Sequence, residues 1–197
     1  MGLPHLYLCR HGQTDWNAEG RLQGQEEIDL NALGRAQAKR NGRYLANVLG
    51  PRAASFRFLA SPMRRTRETM RIVRAELGLD PDAYETDARL IELNFGDWQG
   101  YTLGEIAVDH AAALAERETR KWDYVPPGVA AESYDMLARR VAPVFESLTG
   151  PTILVAHGGT ARSFLKLYDG LNAAEAAHVS IAQDRIIEAK GGVVAWV

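Results

Sequence analysis

The chain has 197 residues, 46% of them hydrophobic and 24% charged, with a formal net charge of −2. That length suits one domain with a sizeable core, and the balanced charge excludes bulk attraction to nucleic acid or an anionic membrane surface. No apolar run is long enough to span a bilayer.

The predicted elements alternate along the chain. His5–Cys9 reads as a first buried strand. Asn31 can cap a helix that runs to about Leu49, where Gly50-Pro51 supplies a stop. Phe56–Ala60 reads as a second strand. Ser61-Pro62 then offers an N-cap and a proline at the first helical position. The helix it opens sets Thr66, Met70, Val73 and Leu77 on one face and ends at Gly78. Tyr84–Thr86 reads as a short strand. Glu132–Leu148 is a helix with an apolar stripe of Leu137, Val141, Val144, Phe145 and Leu148. Thr152–Ala156 is a β-branched, apolar run and so a buried strand. Gly158-Gly159 leads into a helix through about Tyr168. Ile181–Ala189 and Val193–Val197 read as a closing hairpin around Gly191-Gly192. Strands alternating with helices imply a mostly parallel sheet covered on both faces. The charged stretch from Tyr101 to Pro127 breaks the alternation and reads as a helical insertion able to close over a site.

Three chemical segments share one structural position. His11, in Arg10-His11-Gly12, follows the first strand, and Gly12 keeps side-chain bulk away from it. Arg64 and Arg65 lie in the first helical turn after the second strand, and His157 follows Thr152–Ala156. Ligands of open α/β sheets bind beyond the carboxyl ends of the strands, so these groups can meet. Helix N-termini beside them favour an anion, and two histidines with two arginines suit a phosphate dianion. Glu92 lies among apolar residues in Leu90-Ile91-Glu92-Leu93, where desolvation favours the protonated carboxyl, a proton donor for a departing alkoxide.

In these motifs, four in register over nearly the whole length, the chain resembles the histidine phosphatase superfamily, the phosphoglycerate mutase-like group. They are Arg10-His11-Gly12 with Thr14 and Asn17, Ser61-Pro62-Met63-Arg64-Arg65-Thr66, Leu90 to Gly100, and Val155-Ala156-His157-Gly158; Leu30 to Ala38 resembles the family's first helix start. The resemblance implies a single domain over 1–197, a three-layer αβα sandwich, with 101–132 as a lid-like insertion. It implies that His11 attacks phosphorus to give a phosphohistidine. Arg10, Arg65 and His157 then hold the phosphoryl oxygens, aided by Asn17 and the Gly158 amide. Glu92 protonates the leaving oxygen and later deprotonates water. The expected activity is a phosphomonoesterase acting on a small phosphorylated metabolite and releasing inorganic phosphate. A mutase-type isomerase is the alternative, and a non-catalytic phospholigand-binding module a second. The stretch Tyr101–Glu132 is short beside the longer, more basic insertion that the resemblance implies for mutases, which ranks the phosphatase first. No metal or cofactor is expected, because protein cations carry the phosphoryl charge and would repel a metal from His11, His157 and Glu92.

Several residues depart from the family pattern or carry a plainer reading. Asn31 stands where threonine is usual, and Glu68 and Gln99 where Gln and Glu are common. Val129-Ala130-Ala131 lengthens the stretch before Glu132-Ser133. Arg64 reads as a solvent-facing neighbour of Arg65, and Glu116 to Lys121 as a solvated helix face. Trp16, Trp98 and Trp122 read as packing residues, and His5, His110 and His178 are assigned nothing. Cys9, the single cysteine, reads as a small core residue and fits a reducing, cytoplasmic setting. The N-terminus lacks the regions of a secretory signal; Met1-Gly2 opens like an acylation site, but Leu6 stands where Ser or Thr is required. The sequence sets no oligomeric state.

Overall fold

A computed structural model describes residues 3–197; the Met1-Gly2 start lies outside the described residues. In chain order the helices and strands are β1 (Leu6–Arg10), α1 (Asp15–Ala18), α2 (Ala32–Leu49), β2 (Arg57–Ala60), α3 (Arg64–Glu76), β3 (Glu85–Thr86), α4 (Leu103–Thr119), α5 (Tyr134–Glu146), β4 (Thr152–Ala156), α6 (Gly158–Tyr168), α7 (Ala173–His178), β5 (Ile186–Lys190) and β6 (Val193–Trp196). They build one six-stranded sheet in the order β3-β2-β4-β1-β5-β6. Strands β3, β2, β4 and β1 run parallel. The β5–β6 hairpin joins β1 antiparallel, Leu6 facing Ala189 and Cys9 facing Ile186.

The period-two alternation of strand side chains divides the core between two faces. Tyr7, Cys9, Ile153 and Val155 point to the face covered by Leu45 and Leu49 of α2 and Met70 and Val73 of α3. Leu6, Leu8, Leu154 and Ala156 point to the other, where Leu137, Val141 and Phe145 of α5 and Phe164 of α6 close over them. The result is a three-layer sandwich with a mostly parallel sheet, as expected. Cys9 is fully buried, and burial pushes its thiol up to about 12, which makes it an inert core group.

Some boundaries differ from the sequence reading, each for a local reason. Helix α3 is capped by the Met63 backbone without a side-chain cap. Ser61 cannot serve, because it ends against β4, its amide donating to the Val155 carbonyl at 3.0 Å and its hydroxyl turned to His157. Helix α5 starts two residues late, at Tyr134, because Ser133 accepts from the Met136 amide and so caps it. Residues 181–185 are not strand, since side chains take up their backbone. Arg10 donates to the Ile181 carbonyl at 2.8 Å and Asn41 to the Gln183 carbonyl at 3.0 Å. Asn31 caps α2 as read, accepting from the Gly34 amide at 2.9 Å. Helix α4 is kinked at His110, whose φ of −130° and ψ of 33° leave the helical region.

Candidate functional site

The carboxyl ends of the four parallel strands converge on one cavity of about 380 Å³, lined among others by Arg10, His11, Asn17, Arg65, Glu92 and Gly158. His157 is fully buried beside it, its ring centroid 5.2 Å from that of His11. The structure therefore brings together Arg10, His11, Asn17, Arg65, Glu92, His157 and Gly158, but not Arg64.

His11 is held from both ends. Its amide donates to the Ala156 carbonyl at 2.9 Å, which ties it to β4. Its Nδ1 lies 2.8 Å from the Gly12 carbonyl oxygen. A carbonyl only accepts, so Nδ1 carries the proton and Nε2 is unprotonated. The Arg65 Nε donates to that Nε2 at 3.3 Å. Burial, then the Arg65 and Arg10 charges, hold the His11 imidazole well below its ordinary range. His157 is lowered too, by burial first and then by Arg65 and His11. Both rings are neutral at pH 7.

The cations are fixed by carbonyls rather than carboxylates, so their charge stays available. Arg65, fully buried, donates to the Gly24 and Glu26 carbonyls at 2.7 Å each. Gln99 steadies that loop by accepting from the Gln25 amide at 2.7 Å. Burial lowers Arg10 and Arg65 to about 10 each, which leaves both charged at neutral pH. Arg10 Nε and His157 Nδ1 are buried without a partner. Unpaired buried polar atoms are costly, and an anion here would satisfy them. Asn17 accepts from the Gln183 side chain at 2.9 Å and from the Thr14 amide at 3.2 Å, the second half of a capping box on α1.

Glu92 is half-buried and lines the cavity, rather than sitting in an apolar pocket. Its Oε1 accepts from the Leu93 amide at 2.9 Å and its Oε2 from the Gly159 amide at 3.1 Å. The apolar neighbours Leu90 and Leu93 turn into the core instead. Gly159 is required for this approach, since a methyl there would stand 2.3 Å from Glu92 Oε1. Behind it, Arg140 of α5 donates to the carbonyls of Arg89 and Ile91 at 2.7 and 2.8 Å and pairs with Glu132 at 2.7 Å. Glu132 in turn accepts from the Asn94 amide at 3.2 Å. Gly12 has a different reason from the one its position suggests. A methyl on it would meet the Gly34 carbonyl oxygen at 2.2 Å, so it lets the His11 loop pack on the first turn of α2.

The run 116–121 corrects the reading of a solvated face. Arg117 is only 6% exposed, and Arg117, Glu118 and Lys121 line the same cavity as His11. Arg162 of α6 joins them, its guanidinium 5.8 Å above the Tyr134 ring. The four-residue spacing of Arg117 and Lys121, and the position of Arg162 one turn past His157, were the available signals. Arg64, by contrast, is exposed and faces Glu27 and Asp29. Trp98 and Trp122 are buried core residues. Among the described residues no cluster of three His, Cys, Asp or Glu side chains is placed to hold a metal, and cations beside His11 oppose one.

A family model for the histidine phosphatase superfamily, branch 1, matches residues 6–192. Glucosyl-3-phosphoglycerate phosphatase of Mycobacterium tuberculosis is 39% identical over 171 residues, covering 81% of this chain and 72% of that protein. A 2,3-bisphosphoglycerate-dependent phosphoglycerate mutase of Parvibaculum lavamentivorans is 32% identical, covering 96% and 93%. A solved structure of a mycobacterial glucosyl-3-phosphoglycerate phosphatase complexed with VO3 superimposes with a TM-score of 0.79 at 27% identity, covering 98% of this chain and 96% of that one. Fold and relatives define the class: the protein is an enzyme acting on phosphate monoesters. The chain belongs to the histidine phosphatase superfamily, branch 1.

Proposed function

We propose that this chain hydrolyses a small phosphorylated metabolite through a phosphohistidine on His11. The observation that carries this is the His11 ring: neutral, with Nδ1 committed to the Gly12 carbonyl and Nε2 unprotonated among cations. In the first step Nε2 bonds to phosphorus as the P–O ester bond breaks, and Glu92 gives its proton to the departing oxygen. In the second, water attacks phosphorus, Glu92 takes the water proton, and the P–N electron pair returns to Nε2. Arg10, Arg65, His157, Asn17 and the Gly158 amide hold the phosphoryl oxygens, where the α6 N-terminus adds its dipole. The stretch 101–132 serves as a lid over a single domain, and the buried lone Cys9 supports a reducing, cytoplasmic setting.

Phosphate release from a panel of phosphomonoesters tests this. His11→Ala should lower turnover by about 10³-fold or more, as loss of a covalent nucleophile does, and retained turnover would reject it. A mutase reading is favoured by the long coverage of the mutase relative. Isomerisation of 3-phosphoglycerate to 2-phosphoglycerate in the presence of 2,3-bisphosphoglycerate, without net phosphate release, would establish it instead.

A further inference from the structure

Ser61 caps no helix, and its hydroxyl is committed to His157 instead. The two residues follow neighbouring parallel strands, β2 and β4, whose register sets Ala60 opposite Val155. The Ser61 amide donates to the Val155 carbonyl at 3.0 Å, and the Ser61 carbonyl accepts from the Thr66 hydroxyl at 2.9 Å. Pro62 adds its restriction of the preceding residue to extended backbone. Ser61 is thus held on both sides, with its Oγ 2.8 Å from His157 Nε2. Both residues are fully closed to solvent.

Either group can donate across that contact, and the atoms left over decide which does. Among the described residues Ser61 Oγ has no partner other than His157. If Nε2 carried the proton, the serine would accept it, and the serine's own proton would be stranded in a dry interior along with a bare Nδ1. If the serine donates, its proton and the Nε2 lone pair satisfy each other, and only a proton on Nδ1 is left over. Stranded buried donors are costly, so the second arrangement wins. His157 Nδ1 is buried without a partner. The ring stands 5.2 Å from His11, centroid to centroid, and the charges of Arg65 and Arg10 act on it. Those cations offer the Nδ1 proton no acceptor, whereas a phosphoryl oxygen does.

We propose that Ser61 is a positioning residue: its hydroxyl donates to His157 Nε2 and so holds that ring as the Nδ1–H tautomer, a fixed donor to an oxygen of the phosphoryl group. This rests on the phosphomonoesterase reading for the identity of the acceptor only. The two histidines then use one tautomer for opposite ends. On His11 it bares Nε2 to attack phosphorus, and on His157 it presents a proton to an oxygen of the same group.

Long-range proton–nitrogen NMR spectra of the native protein at pH 7.5, with His157→Asn to assign the ring, read the tautomer without any need for turnover. Nδ1–H should dominate for His157. A ring protonated at Nε2 alone, or at both nitrogens, overturns the proposal. In Ser61→Ala the ring should lose its single tautomer. Calorimetric affinity for inorganic phosphate should fall with it by about 10- to 100-fold, the range of a hydrogen bond to a charged group, and kcat/KM on phosphomonoesters by a similar factor. Ser61→Thr, which restores a hydroxyl, should recover the tautomer and the affinity together. Ser61→Cys, a weak donor of similar shape, takes the place of the alanine variant should that one misfold. Weakened phosphate binding with the tautomer unchanged marks a merely structural role and overturns the proposal, as does unchanged binding. If the native protein hydrolyses no phosphomonoester, the phosphatase reading fails by itself, and the tautomer and the phosphate affinity still decide the role of Ser61.

Discussion

The tautomer of the His11 ring depends on a single carbonyl, that of Gly12. Its depressed imidazole, with that of His157, links the site to stability. The unfolded chain takes up protons on these rings near pH 6.5, the folded chain only well below it. Between those values the unfolded state binds more protons, so stability is full above about pH 7 and falls as pH drops through 6.5. Urea midpoints at pH 7.5 and 5.5 should show that loss, and His157→Asn should shrink the difference between them. Glu92 has a sharper signature. On p-nitrophenyl phosphate, whose leaving group needs no proton, Glu92→Gln should give a nitrophenolate burst followed by slow turnover. On an alkyl phosphate the burst should vanish and the rate fall by about 10²- to 10⁴-fold, the usual share of general acid catalysis. Rapid-quench kinetics on the two esters would decide it. At this scale the placement of side chains was legible where type and spacing announce it, as with His11, Arg65 and His157, which meet at the strand ends. It was not where a charged side chain is buried by a distant element, as with Arg117.

Around Glu92, helix α5 acts as a brace. The Glu92 segment has little regular structure of its own, and Arg140 substitutes for a ladder by binding the carbonyls of Arg89 and Ile91 while Glu132 takes the Asn94 amide. Arg140→Met should therefore lower kcat by about tenfold on alkyl phosphates with KM little changed, as expected when positioning rather than binding is lost. A matched fall in kcat and rise in KM, with loss of helical circular dichroism, would mark a merely structural role. Elements whose ends are set by local rules were readable: the Asn31 cap, the stop near Leu49, the buried run Thr152–Ala156. The ends set by partners elsewhere were not. Nothing near Ser61 says that its hydroxyl belongs to His157, and nothing in 181–185 says that Arg10 and Asn41 will take its carbonyls.

Across the whole molecule, the alternation of strand side chains between two helical layers is what holds the four strand ends level. Leu45 of α2 is fully buried in the core cluster that also holds Met70 of α3 and Tyr7 and Ile153 of the sheet. Leu45→Ala should cost about 2–5 kcal/mol as a cavity in that layer, read as a lower urea midpoint with kcat of the remaining folded protein unchanged. The layered α/β class follows from the strand–helix alternation alone. The strand order does not, because pairing of β1 with β4 and β5 depends on contacts remote in sequence. That pairing has a consequence for how the protein is made. Strand β1 precedes both of its sheet neighbours, Thr152–Ala156 and Ile186–Lys190, by a long stretch of chain. The apolar Leu6–Cys9 run must wait, unpaired, until those two segments have been synthesised, so the nascent chain carries an exposed strand that chaperones and aggregation compete for in the interval.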